Sequence, residues 1–363
     1  MRYDTVYRED IREAIRTIPG MSALRGKSIL ITGGTGIIGS AAADLLIFLN
    51  REYGAGIKII LAGRNEENIH KCFGNALREK EIEYLCYDAL HSPLLETEAD
   101  YYIHCAGIAC PELYGKYPVE TLMGTINGLN AVFQSARRNP QSRVLLVSSS
   151  EVYGSRPAEN QDSFREDEYA YVDILQPRSC YPAGKRAAET LCASYRKEYG
   201  TDFTIARPGY VYGPWITDAD NRSASAFLRD AAAGKPIVMK SRGEQKRSYC
   251  YSPDCASALL TILTGGESGE AYNIASRKSI ASIREFAETA AEAGTAGIIS
   301  AFPSEEEIKS YTTMKHAILD PAKLEALGWR SLWNLREGIG HTIEAMKDSC
   351  GTCRNRGIKG KRV

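Results

Sequence analysis

Tyr181 and Lys185 lie four residues apart in the run YPAGKRAAETLCASYRKEY (181–199). The run has helical periodicity, so the two side chains share one face. An ammonium beside a phenol favours the phenolate and lowers the tyrosine pKa from its usual value of about 10. Tyr181 is then a general base usable near neutral pH. A Y-x-x-x-K spacing alone recurs in many unrelated chains. Ser149, earlier in the chain at the end of an apolar run, gives it meaning. A hydroxyl there can hold the substrate hydroxyl that Tyr181 deprotonates.

A second set of residues fits nucleotide binding. Thr32-Gly33-Gly34-Thr35-Gly36-Ile37-Ile38-Gly39 follows an apolar run and opens a helical one. Its spacing is G-x-x-G-x-x-G. Glycines permit a tight turn and let the backbone approach a pyrophosphate, whose charge sits at the helix N-terminus. After the next apolar run the chain reads Ala62-Gly63-Arg64-Asn65. The Asp or Glu that meets a ribose 2′-hydroxyl is missing there, and Arg64 either suits a 2′-phosphate or is a solvated loop residue. NAD is the expected cofactor, with NADP open. Asp88 accepts from an adenine amino group or caps a turn.

These residues need a scaffold that gathers strand ends. Apolar runs at 28–34, 57–63, 81–90, 100–107 and 142–150 read as strands, with helical patterns such as 37–52 and 119–138 between them. That alternation predicts an α/β fold, a Rossmann-like doubly wound parallel sheet with helices on both faces. DFTIARPGYVYGP (202–214) reads as a sixth strand. The expected organisation is an N-terminal helical extension (1–25), a nucleotide-binding domain (26–214), a smaller C-terminal α/β substrate lobe (215–350) and a basic tail (351–363). Part of the lobe, about 247–277, is expected to return to the main sheet.

At 363 residues, 44% hydrophobic and 25% charged, the chain can bury a sizeable core, which excludes global disorder. Its 45 basic and 45 acidic residues balance, against a nucleic-acid or polyanion binder. No apolar run reaches the ~18–20 residues of a membrane helix. MRYDTVYREDIREAI lacks a signal-peptide core, so a cytoplasmic protein is expected. The 10 cysteines are scattered, and Cys86, Cys105 and Cys192, in apolar stretches, read as reduced, buried thiols. Cys350 and Cys353 read as an incidental tail pair, with a redox role or half a zinc site as the alternative, and the five histidines lack ligand spacing, so no metal is expected. His104 reads as a satisfied core or loop histidine.

TGGTGIIGS (32–40), SSSEVYG (148–154) and YPAGK (181–185), in that order, resemble the extended short-chain dehydrogenases/reductases of the NAD-dependent epimerase/dehydratase family. The resemblance spans most of the chain. It implies a Rossmann domain holding NAD(P), a lobe holding a nucleotide diphosphate sugar (a UDP-sugar favoured), and a homodimer. It implies a catalytic set of Ser149, Glu151, Tyr181 and Lys185. Toward the cofactor it implies Gly33, Gly36, Ile37, Ile38, Gly39, Arg64, Asp88 and Ala106, joined by Tyr181 and Lys185. Toward the substrate it implies Ser150, Arg178, Tyr210, Arg222 and Arg247, the last on the diphosphate, where a guanidinium suits bidentate binding.

Within the family, the triplet Ser149-Ser150-Glu151 narrows the expectation. The dTDP-glucose 4,6-dehydratases carry Thr-Asp-Glu there, and a serine is a poor replacement for the acid. UDP-galactose 4-epimerases usually lack the Glu. UDP-glucuronate decarboxylases carry Thr-Ser-Glu, and the run from Tyr169 to Cys192 is similar to theirs. The implied reaction oxidises C4, loses CO2 and returns the hydride to give UDP-xylose, in the setting of cell-surface polysaccharide synthesis. A dehydratase or 4-epimerase is the alternative, and a non-enzymatic NAD(P)-binding regulator a more distant one. Departures are Tyr210 in place of an Asn, the missing carboxylate after the second strand, and the polar stretch 155–168. Trp215 is read as lobe packing or as a wall of the sugar pocket.

Overall fold

The strands β1 (Ser28–Thr32) and β2 (Lys58–Gly63) read SILIT and KIILAG, nearly all apolar and buried. Such strands suit a parallel sheet covered on both faces. The computed structural model describes residues 6–157, 162–217, 220–312 and 314–356. Among them, β3 (Ile82–Cys86), β4 (Tyr101–His104), β5 (Arg143–Val147) and β6 (Asp202–Pro208) extend the same sheet. β7 (Tyr210–Tyr212), β8 (Ile237–Met239) and β9 (Lys246–Tyr251) lie outside it, whereas β10 (Ala271–Ile274) joins it beside β6. β11 (Ile280–Ser282) pairs antiparallel with β9, and β12 (Ile298–Ser300) pairs with β8.

The main sheet runs β3-β2-β1-β4-β5-β6-β10, and every pairing in it is parallel. This is the Rossmann-like order with one strand added, and its direction reverses between β1 and β4. Successive side chains alternate between two cores. Ile29, Ile31, Ile59, Leu61, Ile103 and Leu145 face one. Leu30, Ile60, Tyr102, Val144, Leu146 and Ile205 face the other. Before the sheet comes α1 (Val6–Arg16), and α2 (Ile37–Tyr53) and α3 (Glu66–Arg78) follow β1 and β2. α4 (Pro111–Lys116), α5 (Pro118–Ala136) and α6 (Cys180–Tyr199) come next, with α5 and α6 paired over the second core. α7 (Ser223–Ala232), α8 (Ser252–Gly265), α9 (Ile283–Gly294), α10 (Glu305–Ser310), α11 (Ala322–Ala326) and α12 (Leu335–Arg356) complete the chain, and α8 packs with α2 on the first core.

The run 202–214 is not one strand. Pro208 has no N–H for the ladder, and Gly209 passes so close to Ser248 that a Cβ there would lie 2.4 Å from its carbonyl oxygen. The chain therefore leaves β6 and starts β7, which pairs with β9 in a separate sheet. β9 stays in that sheet, so of the stretch expected back in the main sheet only β10 is a member.

α1 is amphipathic, and its face of Tyr7, Asp10, Ile11, Ala14 and Ile15 is buried against α2, α8 and α12. Asp10 accepts from Tyr251 Oη at 2.8 Å and sits 3.0 Å from His341 Nδ1. No helix among the described residues is long and apolar enough to cross a membrane. Cys192 is buried, whereas Cys86 is exposed, because β3 forms an edge of the main sheet. Cys350 and Cys353 fall in α12, with their side chains outside the described residues, as is the basic tail beyond 356.

Candidate active site

The glycine loop connects β1 to α2 at the reversal of strand order, where ligands bind in open α/β sheets. Gly33 has φ +70°, and a Cβ on it would lie 2.9 Å from Ala106 N. A Cβ on Gly39 would lie 2.5 Å from Gly33 O. Side chains are thus excluded where the backbone must come close to a ligand. Gly36 is the N-cap of α2 and offers no side-chain cap, so the first amides of that helix remain available to an anion. Ile37 and Ile38 are half-buried at its start. These features fit the pyrophosphate of a dinucleotide. Arg64 is exposed at the end of β2. Asp88 holds its own turn, accepting from Leu90 N at 2.9 Å and lying 3.1 Å from His91 Nδ1.

His104 ends β4 beside β1, with Nδ1 2.9 Å from Thr32 Oγ1, and the same hydroxyl accepts from Ala106 N at 3.1 Å. Burial, aided by the Lys185 charge, pushes its pKa down to about 3. It is a neutral core histidine that ties the ends of β1 and β4.

β5 delivers Ser149, whose Oγ accepts from Glu151 N at 3.2 Å and caps a short 3-10 turn at 150–153. Ser150 is buried at the start of that turn. A 3-10 turn at 177–179 leads directly into α6 and positions Arg178 before Cys180 and Tyr181. Arg178 Nη2 donates to Glu151 Oε1 at 3.0 Å. Its guanidinium lies 4.7 Å from the ring centroid of Tyr114, and that ring stacks on Tyr181 at 4.7 Å and 16°. Tyr181 is 8% exposed and hydrogen-bonds to Ser149.

The expected effect of Lys185 on Tyr181 needs correction. Burial and the Glu151 charge push the Tyr181 pKa up to about 12, against the Ser149 hydrogen bond and the charges of Arg222 and Arg178. Lys185 Nζ is 5.8 Å from the Tyr181 ring centroid and donates instead to Val147 O at 2.8 Å. The shared helix face is there, but the carbonyl at the end of β5 captures the ammonium. Burial brings the Lys185 pKa down to about 8.

Arg222 forms a two-point pair with Asp220, at 2.9 and 2.6 Å, and its charge reaches Tyr114 and Tyr181. Tyr210 and Arg247 come together from β7 and β9, with the guanidinium carbon 5.1 Å from the ring centroid. Arg247 is 2% exposed, which excludes a surface ion pair. It donates to the carbonyls of Lys246, Met314 and Lys315 at 2.9–3.0 Å, with no carboxylate among these partners. Its Nε and the Tyr210 Oη are buried without a hydrogen bond of normal geometry among the described residues. A buried cation with donors to spare is a place for an anion.

Two residues stand differently from the sequence reading. Tyr114, on the short helix α4, was not legible, because a tyrosine in a short polar turn carries no chemical signature. Trp215 is no sugar-pocket wall. Its Nε1 donates to Asp44 Oδ2 at 2.8 Å, and it stacks on Phe73 at 5.3 Å, beneath α1. A separate cavity of about 800 Å³ between α6, β6 and β10 contains none of the catalytic set.

Known proteins resemble this chain along most of its length. The model of the NAD dependent epimerase/dehydratase family matches residues 29–275. UDP-glucuronic acid decarboxylase 3 of Arabidopsis thaliana is 31% identical over 315 residues, covering 86% of each chain. A dTDP-glucose 4,6-dehydratase from Streptomyces venezuelae, solved with NAD and TYD bound, has a TM-score of 0.75 at 21% identity, covering 90% of this chain and 98% of the other. The UDP-glucuronic acid 4-epimerase from Bacillus cereus, solved with UDP-glucuronic acid and NAD, has a TM-score of 0.71 at 20% identity, covering 88% and 99%. At these identities the solved structures speak for the fold alone.

Proposed function

Because the chain belongs to the NAD dependent epimerase/dehydratase family, we propose that it modifies a nucleotide sugar by transient oxidation at C4, and that it decarboxylates UDP-glucuronate to UDP-xylose. The observation that carries this reading is the Glu151–Arg178 pair set against Tyr181, with Ser150 between Ser149 and Glu151. A glutamate is present to handle a proton at C5, and a guanidinium stands beside it for a carboxylate. The neighbouring position lacks the acid that would expel a 6-hydroxyl. The likeness to the plant decarboxylase along most of both chains supports the same substrate.

A nicotinamide dinucleotide, when bound, would supply a hydride acceptor for C4 in its oxidised form and the hydride donor that restores C4 in its reduced form. Gly33, Gly36, Ile37, Ile38 and Gly39 would hold its pyrophosphate at the start of α2. Tyr181 Oη takes the proton of the C4 hydroxyl. Ser149 hydrogen-bonds to Tyr181 and steadies the same substrate oxygen. Arg178 and Arg222 favour the phenolate by charge. Lys185, anchored on Val147 O, would hold the nicotinamide ribose. The substrate carboxylate draws Arg178 away from Glu151, and Glu151 then takes a proton from water and passes it to C5 when CO2 departs. Arg247 and Tyr210 meet the diphosphate with their spare donors. The family resemblance adds a homodimer.

Mass spectrometry of UDP-glucuronate incubated with the protein, with and without added dinucleotide, tests the reading. The expected product is lighter by the mass of CO2. Turnover of dTDP-glucose with loss of water, or of UDP-glucuronate without change in mass, would replace the decarboxylase by a dehydratase or an epimerase.

A further inference from the structure

The end of β2 lies beside the end of β1, one strand out from the reversal point. In a doubly wound sheet the adenosine ribose of a dinucleotide sits there. The backbone at this point is held from three sides. Gly33 N donates to Ala62 O at 3.1 Å. Tyr87 N and Tyr84 Oη both donate to Gly63 O at 3.0 Å. The next residue, Arg64, therefore leaves the sheet from a fixed point. Its side chain is exposed and makes no hydrogen bond or ion pair among the described residues, although its charge reaches Asp88 and helps to hold that carboxyl below its usual range. Between Ala62 and Asn65 there is no carboxylate to meet a ribose 2′-hydroxyl.

The surroundings favour an anion at this spot. α3 begins at Glu66, and its N-cap Asn65 covers one amide, that of Asn68, at 3.2 Å. The amides before it have no partner among the described residues, so they add to the pull of the helix N-terminus. Three carboxylates lie near, and each is engaged. Glu66 and Glu67 pair one turn along the helix with His70 at 3.6 Å and Lys71 at 2.9 Å. Asp88 accepts from Leu90 N and lies 3.1 Å from His91 Nδ1. Arg64 feels the charge of Asp88, but that carboxylate is held in its own turn, so the guanidinium is a cation that a phosphate can claim in two-point fashion.

We propose that this chain selects a 2′-phosphorylated dinucleotide, with Arg64 as the residue that recognises the 2′-phosphate. The proposal rests on the dinucleotide reading of the glycine loop. It sets the chain apart from the two solved relatives above, which hold NAD.

Isothermal titration of the full chain with adenosine 2′,5′-bisphosphate and with 5′-AMP tests it, because these probes differ only in the 2′-phosphate. The bisphosphate is expected to bind at least about tenfold tighter, which corresponds to about 1.4 kcal/mol. That advantage should shrink with added salt, since Arg64 is exposed. Arg64→Ala should abolish it and leave 5′-AMP binding unchanged, and Arg64→Lys should keep part of it. Equal affinities in the parent chain, or an undiminished advantage in Arg64→Ala, would overturn the proposal and leave the nucleotide site standing. Binding of neither probe would overturn the dinucleotide reading itself, and this proposal with it.

Discussion

Arg178 Nη2 lies 3.0 Å from Glu151 Oε1, so the carboxylate whose charge opposes ionisation of Tyr181 is already paired with a guanidinium that favours it. The pair sets two demands against each other. Glu151 is placed for work at C5, yet its charge raises the pKa of the base that works at C4. Arg178 offsets part of that cost.

Glu151→Gln separates the two roles. Removing the charge favours the phenolate, and the released Arg178 acts in the same direction. The acid limb of kcat/KM against pH should therefore move to lower pH. Turnover to the decarboxylated product should fall by about 10²–10⁴-fold, the range for losing a proton-transfer group. A pH–rate profile on UDP-glucuronate reads both. An acid limb that stays in place would mean that Tyr181 does not set it.

Tyr181→Phe keeps the ring that stacks on Tyr114 and removes the hydroxyl. Turnover should drop by about 10³-fold or more, while the dinucleotide stays bound. Steady-state rates and the dinucleotide content of the purified variant check this together. Near-parental turnover would remove Tyr181 from the mechanism.

Gly33→Ala places a methyl group 2.9 Å from Ala106 N at a backbone φ of +70°. The left-handed conformation alone costs a non-glycine residue about 1–2 kcal/mol. The glycine loop must also shift. The denaturation midpoint should fall, and dinucleotide affinity should fall more than that loss of stability explains. Gly54→Ala, also at positive φ but with nothing within 4 Å of the added Cβ, is the control for strain without a clash.

Asp44 is buried beneath α1, accepting from Tyr7 and Trp215 through Oδ2, and its Oδ1 has no hydrogen bond among the described residues. Burial pushes its pKa up to about 7, opposed by those donors. A carboxyl whose folded pKa is raised binds its proton more tightly in the native state. Its contribution to stability is therefore present at low pH and declines between the unfolded value, about 4, and about 7. Asp44→Asn removes that dependence. The variant should gain on the order of 1–3 kcal/mol relative to the parent at pH 8, and little at pH 4. Thermal melting at the two pH values decides it.

The alternation of apolar runs and helical patterns was enough to anticipate the parallel sheet, because burial on both faces leaves a strand no choice but an apolar sequence. Local spacing also marked the glycine loop and the shared face of Tyr181 and Lys185, since both are properties of a few consecutive residues. Where the Lys185 ammonium ends up was not local. The Val147 carbonyl captures it from a strand 38 residues away in sequence. The break between β6 and β7 depends on Ser248 crossing close to Gly209. Tyr114 joins the site because α4 packs against the start of α6. Trp215 is drawn under α1 by Asp44 and Tyr7. In each case the deciding partner is distant in the chain. Periodicity reports which face a side chain shares, and only tertiary packing decides which atom on the far side of that face it meets.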